Sequence, residues 1–352
     1  MATPTSSKTT NTPTLLNAAN SPLLTLPAEL RIIIYKLLLG DRLIHVNVWV
    51  KHTHLRGYDA LVTQLCAGEI SLDDCRDSFD SPEYLICQAD CAEDMAYDRF
   101  RTVSLNEQLP APEEEVNNSF RAGDPFYVDS CQKRHALCLN DFYAHPDPLS
   151  SRLNLKFLQT CSQIYQEAKA LPFETNMFGF QTPWAIIGYL SWLTSIQRQS
   201  LSALWMYRSN SGRHYARIIR PTGFGPSFSW AHAILGSAFH GELQGLHTVH
   251  VSLDVFKSTI ERWQRSRRRN HTKDYEEDEQ WSLGLKACQK LSLQKATVIV
   301  SDNGLDGFGV TEDSLDEFRA SRAKMCLTVE EKRQLADELE GYMLGSTTQD
   351  GT

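Results

Sequence analysis

Residues 243–253 read LQGLHTVHVSL, and the alternation inside them decides the fold. Val249, Val251 and Leu253 fall on one side of an extended chain with polar positions between them, the period of a strand that buries one face. A helical candidate over Ser229–Ala238 precedes this strand, and the same order recurs on both sides of it. Downstream, Asp278–Leu291 leads to a strand over Ala296–Ser301. Upstream, Pro183–Ile196, with Trp184, Ile187, Leu190 and Leu193 at helical spacing, leads to Leu201–Tyr207. Earlier still, Phe157, Leu158, Cys161, Ile164, Ala168 and Leu171 form a helical stripe that Pro172 breaks before a short strand over Asn176–Phe180. Helix followed by strand, repeated four times, predicts an α/β fold with right-handed crossovers and a mainly parallel sheet. A last helix over Val329–Met343, with Thr328 and Glu331 placed as a capping box, presents Leu335, Leu339 and Tyr342 or Met343 as its packing stripe.

The N-terminal stretch Leu23–Gly40, LLTLPAELRIIIYKLLLG, is apolar on more than one side. At about 100° per residue, Leu30, Ile33, Ile34, Leu37 and Leu38 form a broad face expected to meet the core. Ile32, Tyr35 and Leu39 form a narrower ridge expected to remain for a partner. Pro27 suits a helix start, and Gly40 is placed to end the helix with positive φ. The helix is too short and too charged to span a bilayer. After it, Ile44, Val46, Val48 and Val50 alternate with His45, Asn47 and Trp49 as in a half-buried strand over Arg42–Val50.

Leu26, Pro27, Glu29, Leu30, Ile33 and Leu37 occupy the places of an F-box opening. Together with LQTCSQIYQEA at Leu158–Ala168, where Cys161, Ile164, Tyr165, Glu167 and Ala168 stand, they resemble a family of fungal F-box-like proteins. Ser162 replaces the basic residue common at that position. The resemblance implies an F-box-like unit interrupted by a strand and a long insertion, a Skp-type adaptor of a cullin-RING ubiquitin ligase as first partner, and a protein substrate as second. Leu26, Pro27, Leu30, Ile32, Ile33, Tyr35 and Leu39 are the expected partner-binding residues. The phrase at 243–253 also looks like the strand of a leucine-rich repeat. With strand centres near 178, 204, 250 and 298, the sheet is expected to be leucine-rich-repeat-like but without a fixed period.

Composition bounds the rest. The chain has 352 residues, 41% of them hydrophobic, enough for a substantial core. Residues 1–22 read as a disordered tail without a targeting pattern, 23–50 as the F-box-like segment, 51–151 as the insertion, 152–344 as the α/β body and 345–352 as a second tail. Within the insertion, residues 109–125 read as an exposed acidic loop, with helical candidates at Tyr58–Ala67 and Pro82–Arg99 on either side. The net charge of −8 argues against general attraction to nucleic acid, and no stretch suits a membrane span. Cytoplasm or nucleus is the expected location, with reduced thiols.

Seven of the nine cysteines lie between Cys66 and Cys161. Cys87, Cys91, Cys131, His135 and Cys138 supply ligands enough for tetrahedral zinc, but Cys131 and Cys138 are seven apart, a spacing foreign to compact knuckles. Buried thiols packing the insertion are the preferred reading, so no metal ligand and no cofactor is assigned. His247 and His250, three apart on a strand, point to opposite faces and cannot chelate together.

Motifs of catalysis are missing: no GxSxG, GxxxxGK[ST] or HExxH occurs, and GLDGFG at 304–309 has the wrong order for a dinucleotide loop. His240, Glu242 and Asp254 have no nucleophile or cofactor motif beside them. Arg265, Arg267, Arg268 and Arg269 sit in a basic cluster that fits a nuclear-import signal, followed at once by the acidic run Asp274–Glu279 that can neutralise it. The expected function is therefore a non-catalytic protein-interaction scaffold, with an interaction module that uses the F-box-like helix only as core as the alternative and an unrecognised hydrolase or metal enzyme as the less favoured third.

Overall fold

A computed structural model describes residues 21–51, 64–65, 68–87, 89, 93–102, 134–135, 138, 155–209, 237–255, 257, 260–261, 285, 287–301 and 327–345. The tail before residue 21, the acidic loop at 109–125, the basic cluster with Arg265, Arg267, Arg268 and Arg269, the glycines of 304–309, and Cys91 and Cys131 lie outside the described residues. So does most of the helical candidate at 58–67.

Six strands, β1 (Leu43–Asn47), β2 (Glu83–Ile86), β3 (Met177–Phe180), β4 (Ala203–Ser209), β5 (Thr248–Asp254) and β6 (Lys295–Ser301), form one sheet in the order β2-β1-β3-β4-β5-β6. The β1–β2 pair is antiparallel and every other pair is parallel. The nine helices described are α1 (Ala28–Leu39), α2 (Leu72–Cys75), α3 (Glu93–Thr102), α4 (Ser162–Ala168), α5 (Leu171–Glu174), α6 (Pro183–Trp192), α7 (Ser195–Gln199), α8 (Ser237–Glu242) and α9 (Val329–Leu344).

Register sorts the sheet residues into two faces. Ile44, Phe178, Leu204, Val249 and Ala296 run in line across five strands, and with Val46, Phe180, Met206, Val251 and Val298 they make an apolar face. Helix α6 covers part of it, with Tyr189 against Phe178 and Phe180 at ring-centroid separations of 5.2 and 5.5 Å. Thr182 caps α6, its side chain accepting from the Ala185 N–H, and Pro183 fixes the first turn. At the far end, the Val298 N–H of edge strand β6 donates to Glu340 Oε1 of α9 at 2.7 Å. Helix α9 therefore caps a backbone donor that an open edge would present to another chain. Its Thr328–Glu331 capping box and its buried Leu335, Leu339 and Met343 are as the spacing predicts.

The opposite face differs in chemistry. Leu85, His45, Gly179, Trp205, His250 and Thr297 follow one another across all six strands. Glycine is required at 179 because a Cβ there would come within 2.7 Å of Trp205 Cε3. The space that Gly179 leaves is taken by the indole, which is fully buried and donates through Nε1 to Ser252 Oγ at 3.1 Å.

Several local expectations change: Pro172 sits in the first turn of α5 and opens it, and the helix expected over Pro183–Ile196 stops at Trp192, with α7 starting anew at Ser195. Residues 82–99 are not one helix: Leu85 and Tyr84 pair with β1 as a strand, and α3 begins only at Glu93. Gly40 has φ −116°, and the left-handed residue is Asp41 at φ 57°; Gly40 is small because a Cβ would press on Thr175 and reach 2.9 Å from Lys36 O. The largest change is on α1, where the two apolar faces exchange roles. Tyr35 and Leu39 are buried and Ile32 is partly buried, whereas Leu30, Ile33, Leu37 and Leu38 are 47, 53, 71 and 47% exposed.

Candidate functional site

The polar face of the sheet gathers four metal-ligating side chains. His45, from the middle of β1, points to this face beside Gly179. Cys87 follows β2 directly, and its N–H donates to Leu43 O at 2.8 Å, carrying the antiparallel ladder one step further. His135 and Cys138 stand three apart in the chain, and both are fully buried. The ligand atoms of His45, Cys87, His135 and Cys138 all lie within 4.8 Å of one another. Cys87 Sγ is 3.4 Å from His135 Nδ1 and 3.9 Å from Cys138 Sγ. His45, His135 and Cys138 are buried and Cys87 is half-buried. Trp205 forms the floor, 5.4 Å from the His45 ring and 4.9 Å from the His135 ring.

A second layer surrounds these four. His135 Nε2 sits 2.6 Å from Glu93 Oε1, and Arg134 Nη2 donates to both oxygens of Glu93 at 3.1 and 3.2 Å. The Ala89 N–H donates to Cys87 Sγ at 3.4 Å. Burial alone pushes the Glu93 carboxyl up, but the bond with His135 and the charges of Arg134 and His135 outweigh it and bring it down to about 2. Burial lowers His45, whereas at His135 the bonds to Cys138 and Glu93 overcome burial and raise it. The thiols split, chiefly through the hydrogen bond they share: Cys138 is pulled down and Cys87 is pushed up.

A separate corner of the molecule holds α1. Arg31 donates to Glu167 twice, Nε to Oε2 at 2.8 Å and Nη2 to Oε1 at 2.6 Å, while its Nη1 donates to the carbonyls of Leu24 and Leu26. Tyr35 and Gln163 add hydrogen bonds to the same carboxylate at 3.1 and 3.0 Å. Beneath this network Tyr35, Leu39, Ile164, Ala168 and Leu171 form a small core of their own, bordered by Leu23, Leu24, Ile32, Phe157, Leu158 and Cys161. The two stretches on which the family resemblance rests therefore pack against each other. Ion pairing fixes α1 by its Arg31–Tyr35–Leu39 side, and that is the physical reason the Leu30–Ile33–Leu37 side faces outward.

Of the expected partner-binding residues, Leu30 and Ile33 stand on the outer face with Pro27, Leu26 is half-buried, and Ile32, Tyr35 and Leu39 are consumed by the corner. Cys87, His135 and Cys138 stand among the ligands the cysteine-rich stretch offers, whereas His45 does not, because alternation places it with Asn47 and Trp49 on the polar side of a half-buried strand. His247 is not part of the cluster; its Nδ1 lies 3.0 Å from Thr248 Oγ1. His250 is occupied by Thr297. Glu242, half-buried, is tied to the buried Arg198 by an ion pair at 2.9 Å, a structural role. Among the described residues no helix is long and apolar enough to cross a membrane. Comparison with protein-family models, with curated proteins and with solved structures gives no match.

Proposed function

We propose that the protein is a non-catalytic interaction scaffold that docks a Skp-type adaptor on the outer face of α1 and holds a second protein, a substrate for ubiquitination, on its α/β body. The observation that carries this reading is the outward row Leu30, Ile33, Leu37 and Leu38, four large apolar side chains on a helix whose other side is locked by the Arg31–Glu167 pair. Exposed apolar side chains in a contiguous group are the usual mark of a partner site. The F-box-like sequence of the same helix supports the adaptor as occupant, and Leu26 and Pro27 extend the row at its start. The sequential order of the parallel strands supports a leucine-rich-repeat-like body as the recognition element.

The test is a pull-down of the purified chain with a recombinant Skp-type adaptor, comparing it with an Ile33→Asp, Leu37→Asp variant. Both positions are exposed, so the variant should keep the parent's unfolding midpoint. Binding should fall by about 30-fold or more, the loss typical of a hot-spot pair. A folded parent chain that captures no adaptor would defeat the adaptor assignment and leave an interaction module that uses α1 for some other contact.

A further inference from the structure

We propose that His45, Cys87, His135 and Cys138 hold a structural zinc ion that pins the insertion to the polar face of the sheet. Zinc bonds of about 2.3 Å to sulfur and about 2.0–2.1 Å to nitrogen place tetrahedral ligands roughly 3.3–3.8 Å apart. The observed 3.4 Å between Cys87 Sγ and His135 Nδ1 lies within that range, and the 3.9 Å between the two sulfurs is just above it. Two thiolates and two neutral imidazoles are a zinc donor set, and four protein ligands leave no open position for a substrate, which makes the site structural.

The surroundings argue for the same ion. Glu93 holds the Nε2 side of His135, so the proton stays there and the Nδ1 lone pair faces the sulfurs, the carboxylate–histidine–metal arrangement of metal centres. The N–H of Ala89 supports the Cys87 sulfur from outside. Charges also balance: two thiolates neutralise a divalent cation, and Glu93 is neutralised by Arg134. A neutral assembly is what a buried site tolerates, whereas uncompensated charge there is costly. The ion closes a loop of chain between residues 87 and 135 and joins it to β1. This reading is independent of what α1 binds.

Metal content of the full chain, expressed in zinc-supplemented medium and freed of loose metal by gel filtration, decides the matter together with cobalt substitution. The expected result is one equivalent of zinc. After chelation, added Co(II) should give the intense visible bands of a tetrahedral, thiolate-ligated ion. Cys138→Ser should abolish both signals. Glu93→Gln should keep the spectrum but weaken affinity about 10–100-fold, the usual cost of losing an outer hydrogen-bond partner. Should Cys138→Ser fail to fold, the parent chain and Glu93→Gln carry the test by themselves. A folded parent with under about a tenth of an equivalent of zinc and no cobalt spectrum overturns the proposal, as does a Cys87–Cys138 disulfide in protein purified without reductant; the geometry behind the threshold is the four-ligand site itself.

Discussion

The helical corner and the polar face of the sheet both join segments far apart in the chain through buried polar side chains, yet they close their networks differently. At the corner, the donors of Arg31, Tyr35 and Gln163 all end on Glu167 or on backbone carbonyls, so the charges compensate within the protein. On the sheet face, Glu93 and Arg134 satisfy the outer side of His135, while two sulfurs and two imidazoles turn toward one another. The first arrangement orients a helix and leaves its far side for contact. The second binds a cation, and its strength then depends on something the chain does not itself supply.

That difference can be broken most forcefully by chelation. Removing zinc from the intact chain should lower its unfolding free energy by at least about 5 kcal/mol, since structural zinc contributes folding energy directly. A urea midpoint that is the same with and without chelator would place the two regions on an equal footing and count against the metal.

A smaller loss is expected at the corner. Leu39→Asp puts a carboxylate among Tyr35, Ile164, Ala168 and Leu171, where Leu39 is 1% exposed. Lost packing and an unpaired buried charge should together cost about 3–4 kcal/mol, read from the same urea midpoint. Leu37→Asp, two residues earlier on the exposed side, should stay within about 0.5 kcal/mol of the parent. Equal losses at the two positions would mean that α1 does not face outward as described. Zinc content should be unchanged in both variants, because none of the four metal-binding residues belongs to the corner.

The sequence made the sheet legible where alternation was long. β5 and β6 were read to within about two residues because Val249, Val251 and Leu253, and the run Ala296–Ser301, leave little choice of face. α9 was legible through its capping box. The insertion was not, since β2 is four residues long and takes its strand character from pairing with β1 rather than from its own pattern. The face of α1 was misread for a related reason: both of its sides are apolar, and hydrophobicity cannot choose between them. Arg31 decides, because a guanidinium that finds a bidentate carboxylate 136 residues away goes inward and carries Tyr35 with it. The metal-binding residues were legible only as residue types. Three could be picked from the cysteine-rich stretch, but the fourth, His45, comes from a strand whose register with β3 no spacing rule reveals.

The smallest effect expected separates the corner from the metal by pH. The Arg31 guanidinium, bonded to Glu167 and helped by Gln163 and Tyr35, outweighs burial and holds the Glu167 carboxyl down to about 2. An unfolded glutamate titrates near 4.3. The folded form therefore gains stability from Glu167 that is complete above about pH 4.3 and is lost as pH falls through about 2. Glu167→Gln cannot titrate, so it should be less stable than the parent at neutral pH, and the gap in urea midpoint should close steadily between about pH 5 and pH 2. Acid also releases zinc, but it does so in both chains, and the difference between them isolates the carboxylate. Because Glu167 is partly open to water, added salt should narrow the gap at neutral pH as well. A gap that persists unchanged to pH 2 would show that Glu167 matters at the corner through its shape and hydrogen bonds, and that charge is not what turns α1 outward.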